Sequence, residues 1–179
     1  MMIDDLRQLE FCPFTTEYVA QILSWRYEPP YDIYNMSNMS NMDNMGKEVT
    51  DPNELSEAIE YFLQPEYHFQ AVLRQPTAEL VAFCSFGADG QVPGGDYSVT
   101  AVDIGMSVHP ALTGRGLGRM FVGLAIDFAQ KRFSPPRLRV TIADFNHRAQ
   151  IVWQRHGFIL VQEFRADNGK RPFIIYVRE

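Results

Sequence analysis

The stretch from Val102 to Arg119 constrains this chain more than any other. Val102-Asp103-Ile104-Gly105-Met106-Ser107-Val108 reads as a strand, and His109-Pro110 ends it. Thr113-Gly114-Arg115-Gly116-Leu117-Gly118-Arg119 then leads directly into a helical pattern. A glycine-rich turn between strand and helix lets the backbone approach a ligand closely, and the helix's unpaired N–H groups and dipole attract an anion. Pyrophosphate is the natural guest, with Arg115 and Arg119 adding charge. A loop that merely caps a structural helix is the plainer reading. Rival phosphate motifs fit worse. A dinucleotide fingerprint needs a third glycine at 119 and an acid roughly twenty residues on, but 119 is Arg and no acid lies near 136. The G-x-x-x-x-G-K-[ST] of a P-loop is absent.

The 179 residues favour one domain spanning 1–179. A hydrophobic fraction of 46% with 21% charged residues is that of a folded globular chain and excludes a wholly disordered one. Cys12 and Cys84 are too few for a disulfide framework and lack metal-ligand spacing, so no metal site is expected. The first residues are acidic where a signal peptide is basic, and no stretch of apolar residues is long enough to span a bilayer. A cytoplasmic location is therefore expected.

A net charge of −6 argues against nucleic acid as the main partner. Its distribution says more. Residues 1–60 hold twelve acids and three bases, whereas residues 114–155 hold eight bases and two acids. An acidic first third with a basic later segment suits a cationic ligand and an anionic one, although solvated surface charge accounts for the same pattern.

Periodicity supplies the frame. A short strand at 9–14 precedes a helix carrying Tyr18, Val19, Ile22, Leu23 and Arg26, which Pro29-Pro30 stops. Asn-Met recurs four times within 35–45, a period matching neither helix nor strand, so 35–47 reads as a mobile loop or a methionine lid. Asp51-Pro52-Asn53-Glu54 opens a second helix. Strands follow at 67–73, 80–86 and 98–108, then a helix at 114–132, a strand at 137–143 and a helix at 146–156. A hairpin of 158–165 and 172–177 closes the chain. The order β-α-α-β-β-β-α-β-α-β-β predicts an α/β fold with a mixed sheet and helices on both faces.

Thr113–Gly118, followed by a strand, Asn146, Ala149 and Gly157-Phe158, resembles the GNAT superfamily of N-acetyltransferases. Thr113 stands where that family's signature has Gln or Arg. The resemblance implies a splayed central strand pair, 98–108 and 137–143, with acetyl-CoA as cosubstrate in the opening. A bulge near Gly105-Met106-Ser107 would part the strands. Met106, Ser107 and Val108 would bind pantetheine and the thioester carbonyl, residues 113–119 the pyrophosphate, and Asn146 the pantetheine arm. Gly105 supports close backbone approach independently, with tight packing against a neighbouring helix as the alternative.

Direct attack of a neutral amine on the thioester would need orientation, backbone donors for the oxyanion, and a base. The family often places a tyrosine acid four residues before the glycine of Gly-Phe. Here that residue is Trp153, which would line the cofactor but cannot give up its indole proton usefully. Tyr97, Tyr31 and Tyr34 are substitutes, or the thiolate leaves unaided. Asp103, Glu28 and Asp32 are candidate bases, each with an ion-pair or surface role as its alternative. His109 more readily shapes a turn, and Cys84 is a buried small residue rather than a nucleophile.

The expected activity is acetyl transfer from acetyl-CoA to a primary amine of a small molecule or a peptide terminus. The expected acceptor is cationic, with neither nucleic acid nor membrane as partner; a homodimer is left open beside a monomer. Two other readings compete: a non-catalytic acyl-CoA sensor, which Trp153 supports, and another phosphate-ligand enzyme on the same strand–loop–helix.

Overall fold

Alternation and helical stripes fold as their periods dictate. The computed structural model describes residues 8–36, 52–166 and 171–179. The Asn-Met repeat from residue 37 onward, the expected cap Asp51 and the hairpin tip at 167–170 lie outside these residues. The elements are β1 (Leu9–Pro13), α1 (Thr16–Leu23), α2 (Pro52–Phe62), β2 (Gln70–Arg74), β3 (Glu79–Phe86) and β4 (Val102–Val108). They continue with α3 (Gly118–Phe133), β5 (Leu138–Ala143), α4 (His147–Arg155), β6 (Ile159–Arg165) and β7 (Pro172–Arg178). The strands order as β1-β2-β3-β4-β5-β7-β6 in one mixed sheet. β4 and β5 pair in parallel, whereas β5–β7 and β6–β7 are antiparallel. Among the described residues, no helix is long and apolar enough to cross a membrane.

The chain groups into two compact units, and the boundary runs through β3 and β4 rather than through a linker. The first takes the chain up to Phe83 together with Ser107–Leu112. Its core comes from Val19, Ile22 and Leu23 of α1, Ala58 and Phe62 of α2, and the inward residues of the β1–β2 region. Phe14 stacks on Phe62 with centroids 5.5 Å apart, and Phe62 meets Phe69 at 4.7 Å. Such pairs add directionality to the burial that stabilises this core. α1 stops at Leu23, short of the predicted Arg26, because side chains take its terminal carbonyls. Ser24 Oγ donates to Gln21 O at 2.6 Å, and Arg26 Nη1 donates to Leu23 O at 2.7 Å.

The second unit comprises Cys84–Met106 and Thr113–Glu179. Phe121, Val122, Ala125, Ile126 and Ala129 give α3 its buried stripe, and Phe86 packs on Phe128 and Phe133. All six residues of β5 pair with β7, from Leu138↔Arg178 to Ala143↔Phe173. β4 begins at Val102 rather than Ser98. Asp96 Oδ1 accepts from Ser98 N–H at 2.9 Å, a local turn that competes with the ladder. α3 begins at Gly118 rather than Gly114, because Gly114 and Gly116 adopt φ of +71° and +77°.

Candidate active site

The parallel ladder between β4 and β5 holds only two pairs, Val102↔Leu138 and Asp103↔Arg139, although both strands run on. Val102 N donates to Arg137 O at 3.0 Å, so even-numbered residues of β4 turn their main-chain groups toward β5. Past the last pair those groups, Met106 N–H among them, face an open edge. The expected bulge at 105–107 is not what opens it. Gly87 N donates to Asp103 O and His109 N to Val81 O, and from 103 to 109 and from 81 to 87 both strands advance six residues. That leaves no net insertion on β4 relative to β3, and the parting lies on the β5 side.

The glycine loop that follows β4 has the geometry of an anion nest. Gly114 and Gly116 have positive φ while Arg115 between them does not, so the sign alternates along the loop and its N–H groups converge. A Cβ at Gly116 would meet no heavy atom within 4 Å, leaving open space beside that residue. Arg115 and Arg119 are exposed beside it. Gly118 also packs closely, since a Cβ there would lie 3.1 Å from Val152 Cγ2. At Gly114 the neighbour is the Arg148 guanidinium, 3.3 Å from the Cβ position. Open space, converging donors and adjacent cations fit a diphosphate.

The blind end of the opening is polar and fully engaged. Arg139 Nε donates to Asp103 Oδ1 at 2.6 Å and Nη2 to Oδ2 at 2.9 Å, with both side chains buried. Gln91 Nε2 donates to the same Oδ2 at 2.8 Å, and Arg139 Nη1 donates to Val99 O at 2.9 Å. The bond to Asp103 holds the Arg139 pKa above the ordinary guanidinium value. Asp103, expected as a base or an ion-pair member, stands in a buried ion pair. Tyr97 lies over this pair, its ring centroid 4.8 Å from Arg139 Cζ. Its hydroxyl accepts from Val92 N–H at 2.8 Å and sits 3.0 Å from Thr141 Oγ1. Gly105 is required by packing, against β3 and the turn that follows it rather than against the expected helix. A Cβ there would collide with Ser85 Oγ, whose hydroxyl bonds Asp89, and the Ala88–Gly90 turn covers the same main chain.

On α4, Asn146 caps the helix, its Oδ1 accepting from Ala149 N–H at 3.2 Å. Trp153 is 4% exposed, its indole edge-on to Phe158 with centroids 4.9 Å apart. Nearby, Tyr176 O–H donates to Gln150 Oε1 at 3.2 Å, and burial raises its pKa.

Ser107, Val108 and His109 belong to the other unit. There Tyr27 O–H donates to Val108 O at 2.9 Å on the strand edge away from β3, and burial raises the Tyr27 pKa. His109 Nδ1 accepts from Ala111 N–H at 3.2 Å, and its ring meets Trp25 edge-on, so it does shape the strand exit. Burial lowers the His109 pKa and raises that of Cys84. Glu28 is exposed, and its carbonyl accepts from Tyr31 N–H at the turn that carries Asp32 and Tyr34. Among the described residues, no group of three His, Cys, Asp or Glu could hold a metal ion.

Sequence reasoning missed Arg139, Gln91, Thr141 and Tyr27. One signal was available: Asp103 and Arg139 are single charges of opposite sign, each flanked by apolar residues within a strand. Two such lone charges on neighbouring strands announce a buried pair.

Comparison with known proteins agrees with this architecture. A spermidine N-acetyltransferase from Vibrio cholerae, in complex with CoA and spermine, superposes with a TM-score of 0.66. It is 13% identical, over 96% of this chain and 95% of that one. An acetyltransferase (GNAT family) from Bacillus anthracis gives a TM-score of 0.65 at 14% identity, over 97% and 95% of the two chains. At such identities these likenesses establish the fold. No curated protein sequence matches the chain. The model of the acetyltransferase (GNAT) family, however, matches residues 16–158, and the chain belongs to that family.

Proposed function

We propose that this acetyl-CoA-dependent acetyltransferase acetylates a primary amine of a cationic small molecule or a peptide terminus. The observation that carries the reading is the two-pair β4–β5 ladder, open beyond Asp103↔Arg139 and followed by the nest at Gly114–Gly118. Residues 113–119 would hold the pyrophosphate, and the Met106 main chain would present its N–H along the pantetheine. Acetyl-CoA supplies an activated acyl group. The chain's own contribution is orientation and fixed main-chain donors where the oxyanion develops. Asp103 anchors the blind end, with its oxygens committed to Arg139 and Gln91. Tyr97 keeps a hydroxyl at Thr141, beside the opened edge, and is our candidate for protonating the departing thiolate.

The acidic first third of the chain supports a cationic acceptor. Two free cysteines, one of them buried, suit the reducing cytoplasm. Thiol release from acetyl-CoA over a panel of polyamines, amino sugars and peptide N-termini tests the proposal. Acceptor-dependent release with at least one cationic amine is expected, and CoA binding without release across the panel contradicts it. Trp153→Tyr is expected to retain or raise turnover in the same assay, since it supplies a phenol where the indole stands. Shrinking a buried ring costs about 1–2 kcal/mol of stability in thermal unfolding. A large loss of turnover in the folded variant would show that the indole itself shapes the site.

A further inference from the structure

We propose that Tyr97 sets the length of acyl chain the enzyme accepts, its ring closing the blind end of the β4–β5 opening. This rests on the proposed reading of that opening as the acyl-CoA cleft. The phosphate loop follows the C-terminal end of β4, so a nucleotide held there sends its thioester back along the strand toward Asp103 and Arg139. Straight ahead the ladder pairs Val102↔Leu138 and Asp103↔Arg139 shut the way. On the even-numbered face Ile104, Leu138 and Val140 are buried in the apolar core and offer no space. On the odd-numbered face of β4 the Ala88–Gly90 turn sits against the strand, with a Cβ at Gly90 placed 3.2 Å from Gly105 N.

What remains is the odd-numbered face of β5. There the Tyr97 ring spans from the Arg139 guanidinium to Thr141, the first residue of that face past the last ladder pair. A hydrogen bond from Val92 N–H and the contact with Thr141 fix its hydroxyl end. The ring is only half-buried and lies outside the apolar core. It is therefore a wall that one substitution removes while both strands stay intact.

The test compares kcat/KM for acetyl-, butyryl- and hexanoyl-CoA in the whole protein with an amine acceptor. A closed pocket discriminates by ~10- to 200-fold per methylene, so the wild type is expected to favour acetyl over butyryl by at least ~100-fold. Tyr97→Ala raises the butyryl-to-acetyl ratio by about tenfold or more. Tyr97→Phe, which keeps the ring, leaves the ratio at the wild-type value. Because the readout is a ratio, loss of a catalytic hydroxyl lowers both terms and cancels. Should Tyr97→Ala fold poorly, Tyr97→Leu frees the outer half of the ring's space and is read the same way. An unchanged ratio in the folded variants, a Phe variant that shifts as far as Ala, or a wild type that uses butyryl-CoA as well as acetyl-CoA overturns the proposal alone. No transfer from any acyl-CoA by the wild type overturns the reading beneath it and the proposal with it.

Discussion

Gly116→Glu is expected to abolish CoA binding while the chain stays folded. A side chain at 116 enters open space, since no heavy atom lies within 4 Å of the Cβ position. The φ of +77° adds strain of about 1–2 kcal/mol for any non-glycine residue. Gly116→Ala measures that strain alone, and its CoA affinity should fall by about 30-fold at most. Glutamate adds a negative charge in front of converging N–H donors, where a diphosphate would otherwise sit. At ~4 Å and an effective dielectric of ~20, one like-charge pair costs about 4 kcal/mol. Calorimetry should therefore show affinity at least ~100-fold weaker for the glutamate variant. Affinity equal to that of the alanine variant would mean that the loop is a helix entry without a ligand.

The second large effect is on stability. Arg139→Met leaves the buried Asp103 carboxylate facing Gln91 alone, and removing one member of a buried pair costs about 3–5 kcal/mol. A chain of this size should then melt about 10 °C lower. The double variant Asp103→Leu with Arg139→Met removes both charges and should recover much of that loss, because desolvation no longer opposes folding. It also separates the two roles of Asp103. As an anchor, its loss in the stable double variant leaves acetyl transfer within about tenfold of wild type. As a general base, its loss costs ~10²- to 10⁴-fold.

The order of elements was legible because periodicity survives tertiary context in this chain. The α3 stripe, the β5 run and the Asn146-to-Gly157 helix fall within a few residues of where apolar spacing and caps put them. Boundaries failed where side chains bond the backbone: Ser24 and Arg26 close α1 early, and Asp96 delays β4. The glycine loop was readable because Gly114 and Gly116 occupy backbone conformations that other residues avoid. The blind end was not. Gln91, Tyr97 and Val99 reach it from the irregular connection between β3 and β4, where no period reports which way a side chain turns. Gly105 was legible as a close approach, but the approaching groups are Ser85 and the Ala88–Gly90 turn rather than a ligand.

A crystal structure of the chain with CoA bound tests the central claim most directly. The account predicts the pantetheine arm between β4 and β5, hydrogen-bonded to the main chain of Met106, with the pyrophosphate on residues 113–119 and the sulfur toward Tyr97. A ladder zipped past Asp103↔Arg139, with CoA bound elsewhere, would contradict it.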